Sequence, residues 1–208
     1  MVECENKICI KDNNGNIINT TRKVKYKEVE DTDINKAKEV FVKWKEICKL
    51  LTDLSRRKVN LPEGISEIII AKQYNYVFLN QKSLSAGGKK ISTSFDCFDK
   101  VTGDKIQIKA CSVEKDLSSF GPKSQFDKLL FADFYNVNDA ELSFKVYDIP
   151  IQTLKNWKVN GGQTFVAQQL QGRRPRLSLK EFIEKNKNNN NITVKTFKID
   201  DMGNIIES

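Results

Sequence analysis

Two alternating segments that meet at a tight turn constrain this chain most. They are Ser94-Phe95-Asp96-Cys97-Phe98-Asp99 and Lys105-Ile106-Gln107-Ile108-Lys109-Ala110, flanking Thr102-Gly103-Asp104. A period of two on each side of a Gly-containing turn predicts an antiparallel hairpin. The hairpin opens a run of strands predicted at 92–99, 104–112, 128–135 and 141–149, which Pro150 ends. Helical patterns lie on both sides of that run. Upstream, Ala37, Val40, Phe41, Trp44, Ile47, Cys48, Leu51 and Leu54 keep helical spacing over about 34–56. Asp33 can cap that helix, and its apolar stripe reads as core packing. Pro62-Glu63-Gly64-Ile65-Ser66-Glu67 opens a second helix to about Val77, with proline early and acids in the first turn. Downstream, short helices are predicted near 150–156, 163–171 and 178–186, and a terminal strand over 192–199. The order predicts an α+β domain, three-layer α/β/α-like, with a mixed central sheet flanked by helices.

The 208 residues suit one domain with a sizeable core. Residues 1–32 read as an N-terminal hairpin or arm, whose alternation over 7–29 breaks at Asn13-Asn14-Gly15-Asn16. Residues 33–185 form the core with its loops, and 186–208 an Asn-rich linker and polar tail. Ser83–Lys90, with Gly87-Gly88-Lys89-Lys90, reads as a basic loop lacking the spacing of a phosphate loop. Lys89 and Lys90 are expected to make general phosphate contacts.

Composition removes much chemistry. Histidine is absent, which excludes Ser-His triads, His-ligated metal nucleases and every histidine base. Five scattered cysteines without a CxxC pair speak against a zinc site and a disulfide framework; Cys48, Cys97 and Cys111 are expected as buried thiols. No apolar run approaches the roughly 18 residues of a membrane span, and the N-terminus has no apolar signal core, so a cytoplasmic protein without a membrane partner is expected. The formal charge of +8 favours a polyanionic partner.

On the predicted hairpin Gln107 and Lys109 share one face, while Ile106 and Ile108 point to the core. With the turn centred near Thr102, Asp96 falls opposite Ile108 and Asp99 near Lys105. Asp96 can join the Gln107/Lys109 face and is preferred over Asp99. A carboxylate beside an amide and an ammonium has the makings of a magnesium site, since that ion prefers oxygen ligands and needs only one or two carboxylates besides substrate phosphate. An ordinary hairpin with its polar face in water has the same pattern. Later in the chain, Gln171-Gly172-Arg173-Arg174-Pro175-Arg176 is a dense basic run, kept extended by Pro175. Arginine forks suit guanine edges and phosphates alike, so this loop either reads bases or makes phosphate contacts only. Ser118-Ser119-Phe120-Gly121-Pro122-Lys123-Ser124, just after the second strand, has the small hydroxyl residues, glycine and lysine that suit approach to a phosphate backbone. Its candidates are Ser119, Lys123 and Ser124.

The segment from Ser94 through Phe134 resembles the core of the PD-(D/E)xK superfamily, as found in type II restriction endonucleases. Asp96 matches its acidic position, and Gln107 and Lys109 its (D/E)xK step, with Gln where Asp or Glu is usual. Four segments are similar to the small Bsp-type restriction enzymes, whose target is GCNGC: Asn60–Glu67, Gln107–Leu117, Ser119–Ser124 and Gln171–Arg176. The similarity covers roughly residues 35–185 in one order. It implies a Mg²⁺-dependent type II restriction endonuclease that cuts double-stranded DNA and leaves 5′-phosphates, acting as a homodimer beside a cognate DNA methyltransferase. It implies that Asp96, Gln107 and the Ile108 carbonyl hold the metal and that Lys109 orients or deprotonates the attacking water. Glu67 would supply a helix-borne acid, with Glu63 one turn earlier as the alternative; a plain helix-dipole role is open to Glu67 as well. Gln171, Arg173, Arg174 and Arg176 would contact DNA. Two other functions fit the same residues: a repair or recombination nuclease that recognises DNA structure, and a non-catalytic DNA-binding protein.

Overall fold

The computed structural model describes residues 1–12, 14–19, 23–56, 58–79, 85–86, 89–90, 94–135, 142–159, 162–188, 192–200 and 204–208. Asn13, Ser83, Leu84, Gly87, Gly88, Ser92, Thr93, Glu141 and Asn189–Asn191, which belong to features predicted above, lie outside the described residues.

The N-terminal part is built of short antiparallel strands. β1 (Val2–Asn6) pairs with β4 (Val24–Glu28), and between them β2 (Cys9–Lys11) pairs with β3 (Ile17–Asn19) across the predicted Asn-rich break. The Asp12 carboxylate accepts the Asn14 and Asn16 amides there, at 2.8 and 2.9 Å. Helix α1 (Asp31–Asp53) begins earlier than the sequence predicts. Its N-cap is Glu30, and Asp33 sits inside the first turn, accepting the Glu30 amide at 2.9 Å. The helix also stops short of the predicted end, because Ser55 adopts a left-handed conformation with φ of 54°. Ala37, Phe41, Trp44 and Cys48 are buried, whereas Val40, Ile47 and Leu54 of the same stripe face solvent. The apolar stripe is wider than the surface that covers it, so only part of it is core.

Helix α2 (Glu63–Tyr74) packs on α1 and ends at Asn75, whose φ of 55° closes the helix. Val77, predicted as helical, is instead bridged to Phe98. The chain continues through β5 (Phe78–Leu79), which pairs antiparallel with β4, and through β6 (Ser85–Ala86) paired with β7 (Lys89–Lys90), where the sequence suggested only a loop.

The central sheet starts with β8 (Cys97–Phe98) and β9 (Lys105–Cys111). Later members are β11 (Lys128–Asp133), β12 (Leu142–Ile149), β14 (Thr193–Ile199) and β15 (Ile205–Glu207), with β10 (Ser118–Ser119) outside it. Its order is β15-β14-β12-β11-β9-β8, parallel between β9 and β11 and antiparallel elsewhere. The mixed sheet follows the sequence expectation, except that the tail expected to be ragged supplies edge strand β15. Three short helices follow β12: α3 (Ile151–Asn156), α4 (Phe165–Leu170) and, after β13 (Arg176–Leu177), α5 (Leu179–Lys185).

Alternation along β9 and β11 divides the core. Cys97, Ile106, Ile108, Leu130 and Ala132 pack with α1 and α2, while Cys111, Leu129 and Phe131 pack with α3, α4 and α5. Both faces of the sheet are therefore covered, as a parallel pair requires. A third cluster joins Ile10, Val24 and Tyr26 of the N-terminal strands to Phe98. Cys48, Cys97 and Cys111 are buried free thiols, as expected. Among the described residues, no helix is long and apolar enough to cross a membrane.

Candidate active site

The β8–β9 hairpin closes one residue tighter than the sequence predicts. Cys97 stands opposite Ile106 and Phe98 opposite Lys105, which brings Asp96 beside Gln107 rather than Ile108. The turn dictates this register. The Asp99 carboxylate accepts the Val101 and Thr102 amides at 2.8 and 3.1 Å, and Gly103, at φ of +77°, donates its amide to the Asp99 carbonyl at 2.9 Å. A Cβ at Gly103 would meet Cys9, Ile10 and Lys11 at 3.2–3.3 Å, so a side chain there would crowd β2 and be strained by φ as well. Asp99 is thus committed to the turn.

Asp96 lies just before β8, its amide bonded to the Ile106 carbonyl at 2.9 Å. Its carboxylate accepts the Ile108 amide at 2.7 Å and a close contact from the Gln107 side-chain amide. Gln107 is 6% exposed, so the solvated polar face considered from the sequence is not what forms. The Gln107 and Lys109 positions do share a face, but that face is roofed by the α3–α5 layer. The Gln107 Nε2 lies between Asp96 and the Ile108 carbonyl, 3.4 Å from the latter. Lys109 is half-buried, with its Nζ 5.6 Å from the centre of the Phe120 ring.

Helix α2 reaches this cluster from the other face of the sheet. Its lead-in is pinned where the Leu61 amide donates to Ser112 Oγ at 2.9 Å, just past β9. Glu63 is exposed and Glu67 half-buried, one turn apart. Burial pushes the Glu67 carboxyl up to about 7, and the neighbouring charges of Asp96 and Glu63 add to the shift while Lys109 opposes it. Burial also raises the Asp96 carboxyl, against the Ile108 amide and Lys109, which favour its charged form. Asp96, Gln107, Lys109, Glu67 and Glu63 are therefore electrostatic neighbours, Glu63 acting on both other acids.

The donor set suits a hard cation. Asp96, Glu67, the Gln107 amide oxygen and the Ile108 carbonyl are all oxygen donors, and an N–H₂ group bridges a carboxylate and a carbonyl where positive charge is favoured. Two crowded carboxyls with raised proton affinity are disfavoured as charges even with Lys109 nearby, and a cation between them would favour their ionised form. Among the described residues, no three acidic, cysteine or histidine side chains form a metal cluster by themselves. A cation held here would rely on the amide, the carbonyl and water.

The two basic loops predicted as separate meet in one ribbon. β10 pairs with β13, Ser118 opposite Leu177 and Ser119 opposite Arg176, and the Phe120 amide donates to the Pro175 carbonyl at 3.0 Å. Gly121–Ser124 forms a turn that exposes Lys123, held by Gln169 Nε2 at 3.0 Å from the Gly121 carbonyl and 3.4 Å from that of Ser124. Gln171, Arg173, Arg174 and Arg176 are exposed, and none of the three arginines has an ion-pair partner among the described residues. Ser119 Oγ is buried without a hydrogen-bond partner among the described residues. Asp116 anchors the ribbon's base by accepting the Leu179 and Lys180 amides at 2.7 and 3.2 Å. Sequence reasoning missed Phe120 and Gln169. For Phe120 the signal was one large apolar residue in a polar loop; for Gln169 there was none.

A curled mixed sheet flanked by helices, with this cluster at the β8–β9 edge, is compatible with a restriction-endonuclease-like fold. The Bsp6I restriction endonuclease family matches residues 29–186, and the chain belongs to that family. Type II restriction enzyme Bsp6I of Bacillus sp. (strain RFL6) is 32% identical over 157 residues, covering 75% of this chain and 83% of its own length. No solved structure matches.

Proposed function

We propose that the chain is a Mg²⁺-dependent type II restriction endonuclease that hydrolyses both strands of double-stranded DNA, leaves 5′-phosphates and recognises GCNGC. The observation that carries this reading is the gathering of Asp96, Gln107, the Ile108 carbonyl, Lys109 and Glu67 at one sheet edge in a member of a restriction endonuclease family. Asp96, Gln107 and the Ile108 carbonyl would hold the magnesium ion, with Glu67 as the added acid. Bound there, the ion supplies charge neutralisation at the scissile phosphate and makes a water easier to ionise. Lys109 orients that water, takes up its proton as a base or offsets phosphate charge.

Lys123 and Ser124 on one side of the ribbon and Gln171, Arg173, Arg174 and Arg176 on the other contact the DNA, whereas Ser119, also expected from the sequence to contact it, has its hydroxyl buried and lends only its backbone to the ribbon. Guanidinium groups without an ion-pair partner among the described residues suit guanine O6/N7 forks in a GC-rich target. GCNGC itself rests on the resemblance of the quoted segments. The enzyme works in the cytoplasm as a homodimer, beside a DNA methyltransferase that protects host sites.

Incubating the protein with long unmethylated DNA and Mg²⁺ tests the reading. Discrete fragments ending in 5′-phosphates are expected, mapping to GCNGC. Cutting confined to junctions would instead mean a structure-specific nuclease, and binding without cutting a DNA-binding protein.

A further inference from the structure

Phe120 occupies a position that neither the metal-binding cluster nor the DNA-contacting residues account for. It is 2% exposed, yet it belongs to the polar ribbon segment between Ser119 and Gly121. One side of it is core: its ring meets Phe165 edge-on with centroids 5.1 Å apart and lies tilted on Phe126 at 5.9 Å. Lys109 Nζ lies 5.6 Å from the ring centroid, within the range at which a ring attracts an ammonium. Its backbone belongs to the ribbon, through the amide given to Pro175, next to the Ser119–Arg176 pair. Phe120 is thus the residue at which the arginine-bearing ribbon touches the side chain proposed to act on water.

We infer that Phe120 is a positioning residue: its ring fixes the Lys109 amine, and its backbone makes that placement depend on how the ribbon sits on DNA. The inference rests on the nuclease reading above. A long lysine side chain has many rotamers, and although Asp96 and Glu67 attract the Lys109 amine, neither carboxylate among the described residues forms an ion pair with it that would select one. The aromatic face supplies the selection without consuming a hydrogen-bond donor, so the amine keeps its N–H groups for water and phosphate. A shift of the ribbon by a poorly matched DNA site would move the ring and misplace the amine, and misplacement of about 1 Å costs on the order of a hundredfold in rate. Sequence discrimination would then be expressed in the cleavage step as well as in binding.

The test compares Phe120→Leu, Phe120→Tyr and Phe126→Leu. Phe126→Leu disturbs the same aromatic cluster without removing the ring that faces Lys109, and so controls for a loosened core. Two readouts are taken. In the free protein, the ε-methylene proton signals of Lys109, assigned with Lys109→Arg, report the ring above them. On plasmid DNA cut by the parent enzyme, single-turnover rates at saturating enzyme are compared with affinities measured in Ca²⁺. Phe120→Leu is expected to shift the Lys109 signals downfield and to slow cleavage about tenfold, with affinity changed less than about twofold. Phe120→Tyr restores both, and Phe126→Leu leaves both near the parent. Unmoved Lys109 signals, or a Phe126→Leu rate as slow as that of Phe120→Leu, would overturn the inference even in an active nuclease. A parent protein that cuts no DNA overturns the nuclease reading instead, and with it any role for Phe120 in cleavage.

Discussion

Gln107 is a neutral side chain in a cluster of acids, and its surroundings say what that neutrality does. Its side-chain amide nitrogen bridges the Asp96 carboxylate and the Ile108 carbonyl, so its N–H groups place partial positive charge between those oxygens. A cation drawn to the same oxygens requires the amide to turn its own oxygen inward. Gln107→Glu replaces a donor with a third acid next to Asp96 and Glu67. The metal-free variant is expected to lose roughly 1.5–3 kcal/mol, the worth of a hydrogen bond to a charged group, read by urea unfolding. Its Mg²⁺ affinity, read by calorimetry without DNA, should rise about tenfold, as one added charge at contact distance would give. A variant as stable as the parent with unchanged Mg²⁺ affinity would remove Gln107 from the metal site. Glu67 gives a pH signature. Its folded value of about 7 lies above the ordinary 4.5, so folding disfavours its ionised form. The protonated folded state is favoured below about 4.5, and that advantage is lost as pH rises through about 7. Discounted for the solvent that still reaches the side chain, the loss is on the order of 1 kcal/mol. In chelator, Glu67→Gln should therefore melt higher than the parent at pH 8 and match it near pH 4. Identical melting curves at pH 8 would mean that Glu67 carries no such strain.

The β10–β13 ribbon joins segments far apart in sequence into one basic element. Arg174→Ala and Arg176→Ala are expected to weaken binding at the preferred site by about 1–3 kcal/mol each while sparing binding to random DNA, as loss of a guanine fork would. A uniform loss on all sequences, with the salt slope reduced by about one, would reassign them to phosphates. The pairing that creates this ribbon was not legible in the sequence. Two-residue strands have no periodicity, and Ser118–Ser119 finds its partner through packing, with Phe120 buried and Asp116 fixing α5. β9, β11 and β12 were legible, because alternation in β9 and β12, the continuous apolar run Leu129–Ala132 in β11 and Pro150 set their limits locally. The meeting of Asp96, Gln107 and Lys109 was legible for the same reason, as all three belong to one hairpin. The one-residue register error came from the Asp99 turn, whose side chain caps two amides. Helix ends were misjudged wherever a left-handed residue, Ser55 or Asn75, stopped a pattern that hydrophobicity alone would continue.

A net charge of +8 draws the whole molecule to DNA but does not determine how many strands it cuts. Each chain holds one Asp96–Gln107–Lys109 cluster, and a near-palindromic site presents two scissile phosphates related by a twofold axis. Cutting both in one encounter needs two copies of the cluster in matching symmetry, which a homodimer supplies. A monomer would have to nick, dissociate or turn round, and nick again. Mixed assemblies distinguish the two routes. Lys109→Ala removes the amine but leaves Asp96, Gln107 and the ribbon in place, so the variant should still bind the site. Co-expressing it with parent chain under separate tags and isolating the doubly tagged species would give dimers with one complete cluster. On a supercoiled plasmid with one site, the parent is expected to yield linear DNA with little open-circle intermediate, and the mixed dimer to stop at open circle. Failure to recover any doubly tagged species, or linear DNA from the mixed species at the parent rate, would mean that each chain cuts both strands alone.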